Sequence, residues 1–251
     1  MRLAPVIRWS ARSAAGLLLA ALVVVPASAG GGKDVAQVVP PDANPYGHSY
    51  AEWSALHWQW LYSMPVDKNP VFDTADCSEG QSGKVWFLGG TFALTVVEPG
   101  VNLGLVDRDC TIPAGTALFF PLVDNETSTI EGNGTTEAEL RDLVGFFSDF
   151  IDPDSLFCQI DGKSVQNLTT YRVQSPLFTF GPLPDNNVLQ SFGVDAPEGS
   201  TSPAVSDGVF VMLKPLSVGT HLLHYGGTLD LSSIGGPVFI QDVTYHITVK
   251  R

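Results

Sequence analysis

The chain has 251 residues, 44% hydrophobic and only 16% charged, and its 26 acidic residues outnumber 13 basic ones for a net charge of −13. Lys and Arg are the residues that neutralise phosphates, so this balance argues against nucleic acid and anionic lipid as partners. The length suffices to bury a sizeable core, as one large β domain or two small ones.

The first 29 residues read as a secretory signal. Arg2, Arg8 and Arg12 form a basic start, Ala14 to Val25 is a short apolar run, and Ala27-Ser28-Ala29 is an A-x-A cleavage site. That run is too short for a bilayer, which needs about 20 residues, and no second one follows. Cleavage near Ala29 predicts a secreted or periplasmic chain with no membrane span. It leaves ten basic residues against 26 acidic ones. Three cysteines in an oxidising compartment suggest one bridge and one spare thiol. Cys77 and Cys110 flank a strand-rich segment and are the preferred pair. Cys158, in SLFCQI, reads as a buried small hydrophobe, and the other two pairings stay open.

Residues 30–45, rich in Gly and Pro, read as a flexible leader, followed by a single β-rich domain over 46–251. Tyr46 to Met64 then holds three of the five Trp, and it carries the first helix. Ser49 and Glu52 fit a capping box, and Pro65 ends the segment, so a helix is expected over about 49–63. At 100° per residue Tyr50, Trp53, His57, Trp60 and Leu61 share one face, opposite Glu52, Gln59 and Ser63. A histidine within an apolar stripe is either a core residue held by one hydrogen bond, or a base or ligand in an aromatic-walled pocket. Trp58 lies off the stripe's centre. It either packs beneath another layer or offers a flat surface to a ligand.

After a long loop at 65–83, KVWFLGG, TFALTVVEPG and TIPAGTALFFPLV are β-rich stretches separated by Gly and Pro. Past Val123 the chain turns polar. Asp124, Asn125 and Glu126 are expected on a loop at a strand end, as paired carboxylates, as Ca²⁺ ligands or as a solvated turn. A second helix is expected over 136–151, capped by Thr136 and Glu139 and stopped by Pro153. Asp149, Asp152 and Asp154 form an acidic rim at its end.

From Leu156 onward the pattern is β. A hairpin turns at Asp161-Gly162, YRVQSPLFTF is another strand region, and 185–208 reads as a long polar loop. In the closing strand Val243, Tyr245, Ile247 and Val249 face one way and Thr244, His246 and Thr248 the other. His221 and His224, three apart on a strand, point to opposite faces, which argues against a three-His centre with His57. Many short strands with close turn signals predict a mainly β chain: one β-sandwich, jelly-roll or immunoglobulin-like, with two amphipathic helices.

The segments YGHSYAEWSALHWQWLYS, SGKVWFLGGTF, CTIPAGTALFFPLVDNE, YRVQSP with LPDNN, and SDGVFVMLKPLSVGTHLLHYGGT with VTYHITV together resemble a set of secreted bacterial proteins to which no activity is attached. The resemblance implies export and a single module, and nothing about chemistry. No G-x-S-x-G elbow, H-E-x-x-H or P-loop is present. Three readings follow. One is an exported module binding a ligand, a glycan or a protein partner through Trp53, His57, Trp58, Asp124, Asn125 and Glu126. A second is a secreted hydrolase using His57 with Asp124 or Glu126. The third is a structural surface protein whose Trp residues are core. No cofactor is expected beyond Ca²⁺ at the carboxylates.

Overall fold

Alternation of apolar residues along long strands builds two sheets back to back. The computed structural model describes residues 37–251, so the expected signal segment and the first part of the expected leader lie outside it. One sheet runs in the order β1 (Val85–Phe87), β4 (Ala117–Ser128), β9 (Ser202–Leu213), β7 (Arg172–Gln174), with β8 (Phe178–Phe180) also paired to β9. The other runs β2 (Thr95–Glu98), β3 (Val101–Pro113), β11 (Val238–Lys250), β10 (Gly219–Asp230), β5 (Phe157–Ile160), β6 (Lys163–Ser164). β1 with β4 and β3 with β11 are parallel, and the neighbouring pairs are antiparallel. The chain is a mainly β sandwich, as its pattern predicts.

The sheets meet through aromatic rings. Phe120 of β4 lies 4.4 Å, ring centre to ring centre, from Tyr225 of β10, and Tyr225 stacks on Tyr245 of β11. Val243, Tyr245, Ile247 and Val249 are all buried on this inner side. The opposite face of the first sheet carries α1 (Tyr50–Tyr62), whose Tyr50, Trp53 and His57 pack on Phe119. That sheet is therefore covered on both sides.

Both helix starts follow the local code. Ser49 and Glu52 form the reciprocal cap of α1, and Thr136 with Glu139 that of α2 (Glu137–Ser148). α1 departs from the expected amphipathic stripe. Ser54, Ala55, Trp58 and Tyr62 are buried along with Tyr50, Trp53, His57, Trp60 and Leu61, so the helix is enclosed nearly all round. Its outer side is covered by a second apolar layer that includes Val71, Phe180, Leu183, Val188 and Leu189. α2 ends at Ser148 rather than at 151, because Ile151 already bridges to Leu229 of β10.

Three further departures come mostly from pairing to distant strands. β4 does not stop at Val123: Asp124 to Ser128 pair with Gly208 to Ala204 of β9, so the expected polar loop is strand. The loop expected over 185–208 is shortened by α3 (Val188–Ser191) and by the start of β9 at Ser202. In the expected flexible leader, residues 37–39 are held: Lys214 N donates to Gln37 O, Val39 N to Met212 O, and the Tyr50 hydroxyl to Val39 O. Cys77 and Cys110 form a disulfide, and Cys158 is free and buried. Among the described residues no helix is long and apolar enough to cross a membrane.

Candidate binding site

A bulge in β4 decides which side chains meet α1. Pro121 pairs with Phe210 and Val123 with Val209, so Leu122 is an extra residue with no opposite number. Such an insertion shifts the side-chain parity of everything beyond it. Phe119 and Pro121 face α1 before the bulge; Asp124 and Glu126 face it afterwards. Asn125 points the other way, donating from Nδ2 to Ser148 Oγ of α2 at 3.1 Å. The carboxylates thus share a face, and Asn125 does not join them. Opposite Asp124 stands Gly208, where a Cβ would lie 2.5 Å from the Asp124 Cα. Only glycine allows that approach of the two strands.

His57, Trp58 and Asp124 line one small cavity of about 60 Å³ between α1 and β4. Its far wall comes from the Gly89-Gly90-Thr91 segment and from Gln241 of β11. A Cβ at Gly90 would sit 1.9 Å from Gln241 Oε1, so the missing side chain makes room for the amide. His57 is 1% exposed and ringed by Trp60, Phe87, Phe119 and Phe210. Its Nε2 lies 3.0 Å from Leu88 O, a carbonyl that can only accept. The proton therefore sits on Nε2 and Nδ1 keeps a lone pair. Burial lowers the His57 pKa to about 4, against a smaller opposing effect of the Leu88 bond.

Burial pushes Asp124 up to about 7, partly offset by the nearby Trp58 indole N–H. That N–H approaches the carboxylate without reaching hydrogen-bond geometry: His57 Nδ1, Trp58 Nε1 and Asp124 Oδ2 are all buried and all without a partner.

Glu126 belongs to a neighbouring cluster. Its Oε2 accepts from the Tyr62 hydroxyl at 2.8 Å, while Ser128 Oγ donates to Glu131 Oε2 at 2.5 Å. Burial first, then the adjacent Glu131, raises the Glu126 pKa well above the usual carboxylate range. Glu131 was not legible as a site residue, since it lies within the polar stretch after Val123.

Other candidates lie elsewhere. Trp53 donates its indole N–H to Pro45 O at 2.9 Å and packs against His48, outside the cavity. His221 pairs with Asp161 and His224 with Asp242, both at 2.8 Å, on opposite faces of β10 in the second sheet. Asp149 is taken up by Arg172, which also binds Asp207. Among the described residues no group of three or more His, Cys, Asp or Glu side chains could hold a metal ion. Thr91 and Gln241 of the cavity wall carried no signal in the sequence. The Gly89-Gly90 doublet was visible, but only as punctuation.

No protein-family model matches the chain, and a search of curated proteins finds no match. Among solved structures, the cysteine protease inhibitor EhICP2 from Entamoeba histolytica is similar over 66% of this chain and 96% of its own, at 14% identity and a TM-score of 0.22. PbICP-C, solved in complex with falcipain-2, is similar over 67% of this chain and 100% of its own, at 14% identity and a TM-score of 0.23. At such scores the likeness carries no argument about this chain.

Proposed function

We propose that the chain is an exported binding module that takes a small polar ligand into the cavity between α1 and β4. The supporting observation is that His57, Trp58 and Asp124, each carrying a buried polar atom without a partner, line one cavity. Protein interiors pair their buried polar groups, and each orphan costs about 1–3 kcal/mol. Three together suit a site that a guest completes. A glycan docked on exposed indoles fits less well, because Trp53, Trp58 and Trp60 are all buried. Hydrolysis by His57 with Asp124 or Glu126 also fits less well. Glu126 is engaged with Tyr62 rather than with His57, and the space beside His57 and Asp124, about 60 Å³, is small for a substrate together with an attacking water.

The test is calorimetry and Trp fluorescence on the mature chain with a panel of polar molecules of up to about five non-hydrogen atoms, matched to the cavity. At least one should bind and should weaken about tenfold or more in His57→Phe, which keeps an aromatic ring and removes Nδ1. A panel without a binder, together with a crystal structure showing only ordered water in the cavity, would remove the reading.

A further inference from the structure

The geometry points to a guest of one chemical class: a small cation that donates hydrogen bonds, a protonated amine or amidine, held between Asp124 Oδ2 and His57 Nδ1. This rests on the cavity being a binding site, and it follows from what α1 and β4 offer; the Thr91 hydroxyl and Gln241 amide of the far wall can each donate or accept. The Leu88 carbonyl fixes the His57 proton on Nε2, so Nδ1 can only accept. Asp124 Oδ2, when ionised, also only accepts. The Trp58 N–H, the donor of the trio, already leans towards the Asp124 carboxyl. A guest must therefore donate to two acceptors, one on the helix and one on the strand.

Its charge follows from the neighbours. From α1, Asp124 faces neutral His57 and Tyr62; along its own strand, Glu126; from β10, Tyr225. From β9 it meets Gly208, while Asp207 on that strand turns to Arg172. No Lys or Arg lines the cavity. Arg108, behind the Gly89-Gly90 backbone, is engaged by Asp73, Gly89 O, Gly90 O and the Tyr245 hydroxyl. An ionised Asp124 lacks a countercharge here, and an anionic guest would add a second negative charge to a buried site. A small cation such as methylammonium or the larger guanidinium supplies both the charge and the donors.

Because the Asp124 carboxyl titrates near 7 and must be ionised to hold the cation, affinity should fall as the pH drops through that value. The probes are guanidinium and methylammonium chlorides at low millimolar concentration, with urea, which shares the guanidinium shape without its charge, and sodium formate as the anion. Calorimetry on the mature chain near pH 8 should show a cation binding about tenfold or more tighter than urea, and about tenfold or more weaker near pH 5.5. Asp124→Asn, nearly isosteric, should abolish the preference over urea while still melting cooperatively. Should that variant fail to fold, the wild-type pH series decides alone: equal cation affinity near pH 8 and near pH 5.5 overturns the assignment. Urea or formate binding as tightly as the cations overturns it too, yet leaves the binding-module reading standing. Absence of binding by either cation overturns it as well, and the binding-module reading then stands or falls with the wider panel.

Discussion

Near pH 5.5 His57 and Asp124 stand uncharged across the same cavity, for the same reason: burial lowers the imidazole to about 4 and raises the carboxyl to about 7. Their effects on stability have opposite signs. Between about 4 and 7 folded Asp124 keeps a proton that the unfolded carboxyl, with its ordinary 3.8, has released, so stability falls as pH rises. Between about 4 and 6.5 folded His57 lacks a proton that the unfolded imidazole holds, so stability rises with pH. Each slope is at most about 1.4 kcal/mol per pH unit, and the two cancel over the shared window. Asp124→Asn is thus expected to expose the rising limb and His57→Gln the falling one. Urea midpoints taken from about pH 4.5 to 6.5 read this directly, and two variants that both track the parent's pH dependence would contradict it. Glu126, whose carboxyl burial holds well above the usual range, should tolerate Gln with little loss of stability, since the amide oxygen still accepts from Tyr62. Glu126→Ala should cost about 1–3 kcal/mol by stranding the buried Tyr62 hydroxyl. The sequence singled out His57, Trp58, Asp124 and Glu126 by residue type. It could not show that Glu126 pairs off with Tyr62 and Glu131, because that depends on which face of β4 each residue takes.

At the scale of elements, most of what is encoded locally was legible, the Asn187–Gln190 cap of α3 excepted, and what depends on a distant partner was not. The capping boxes of α1 and α2 each lie within four residues, and the hairpin turn at Asp161-Gly162 needs only its own positive φ angles. The continuation of β4 through Asp124 to Ser128 is different. Its residues look like loop, and only pairing with β9, some 80 residues on, makes them strand. The bulge at Leu122 leaves no mark in composition at all. Two glycines test this architecture in opposite directions. At Gly208 a methyl group would meet the Asp124 backbone at 2.5 Å, so Gly208→Ala should lose about 1–3 kcal/mol and disturb the cavity. At Gly145, inside α2, the nearest atom is Gln174 Nε2 at 3.5 Å, an ordinary contact, so Gly145→Ala should gain about 0.5–1 kcal/mol from helix propensity. Thermal melts of the two variants check both signs; a stabilised Gly208→Ala would mean that β4 and β9 lie further apart here.

For the molecule as a whole, alternation and turn spacing made a β-sandwich legible, while the enclosure of α1 was not. A helix with Gln59 and Glu52 on one side reads as half exposed until a second apolar layer closes over it. The cysteines were legible because redox chemistry and spacing constrain them more than packing does. The Cys77–Cys110 bridge closes a separation of 33 residues across the segment that supplies β1, β2 and most of β3. In the chain-entropy model that constraint on the unfolded chain contributes about 3–4 kcal/mol. Cys158 is 1% exposed on β5, and burial pushes its thiol up to about 12, so it is neither accessible nor ionised in the folded state. A thiol reagent should therefore find almost no thiol in the native protein and one per chain after unfolding without reductant. It should find all three cysteines once the bridge is reduced. Reduction should also shift the urea midpoint downward by the equivalent of about 3–4 kcal/mol. Three reactive thiols in the unreduced, unfolded chain would mean that Cys77 and Cys110 are not joined; ready native labelling would mean that β5 opens to solvent far more often than its place between β10 and β6 allows.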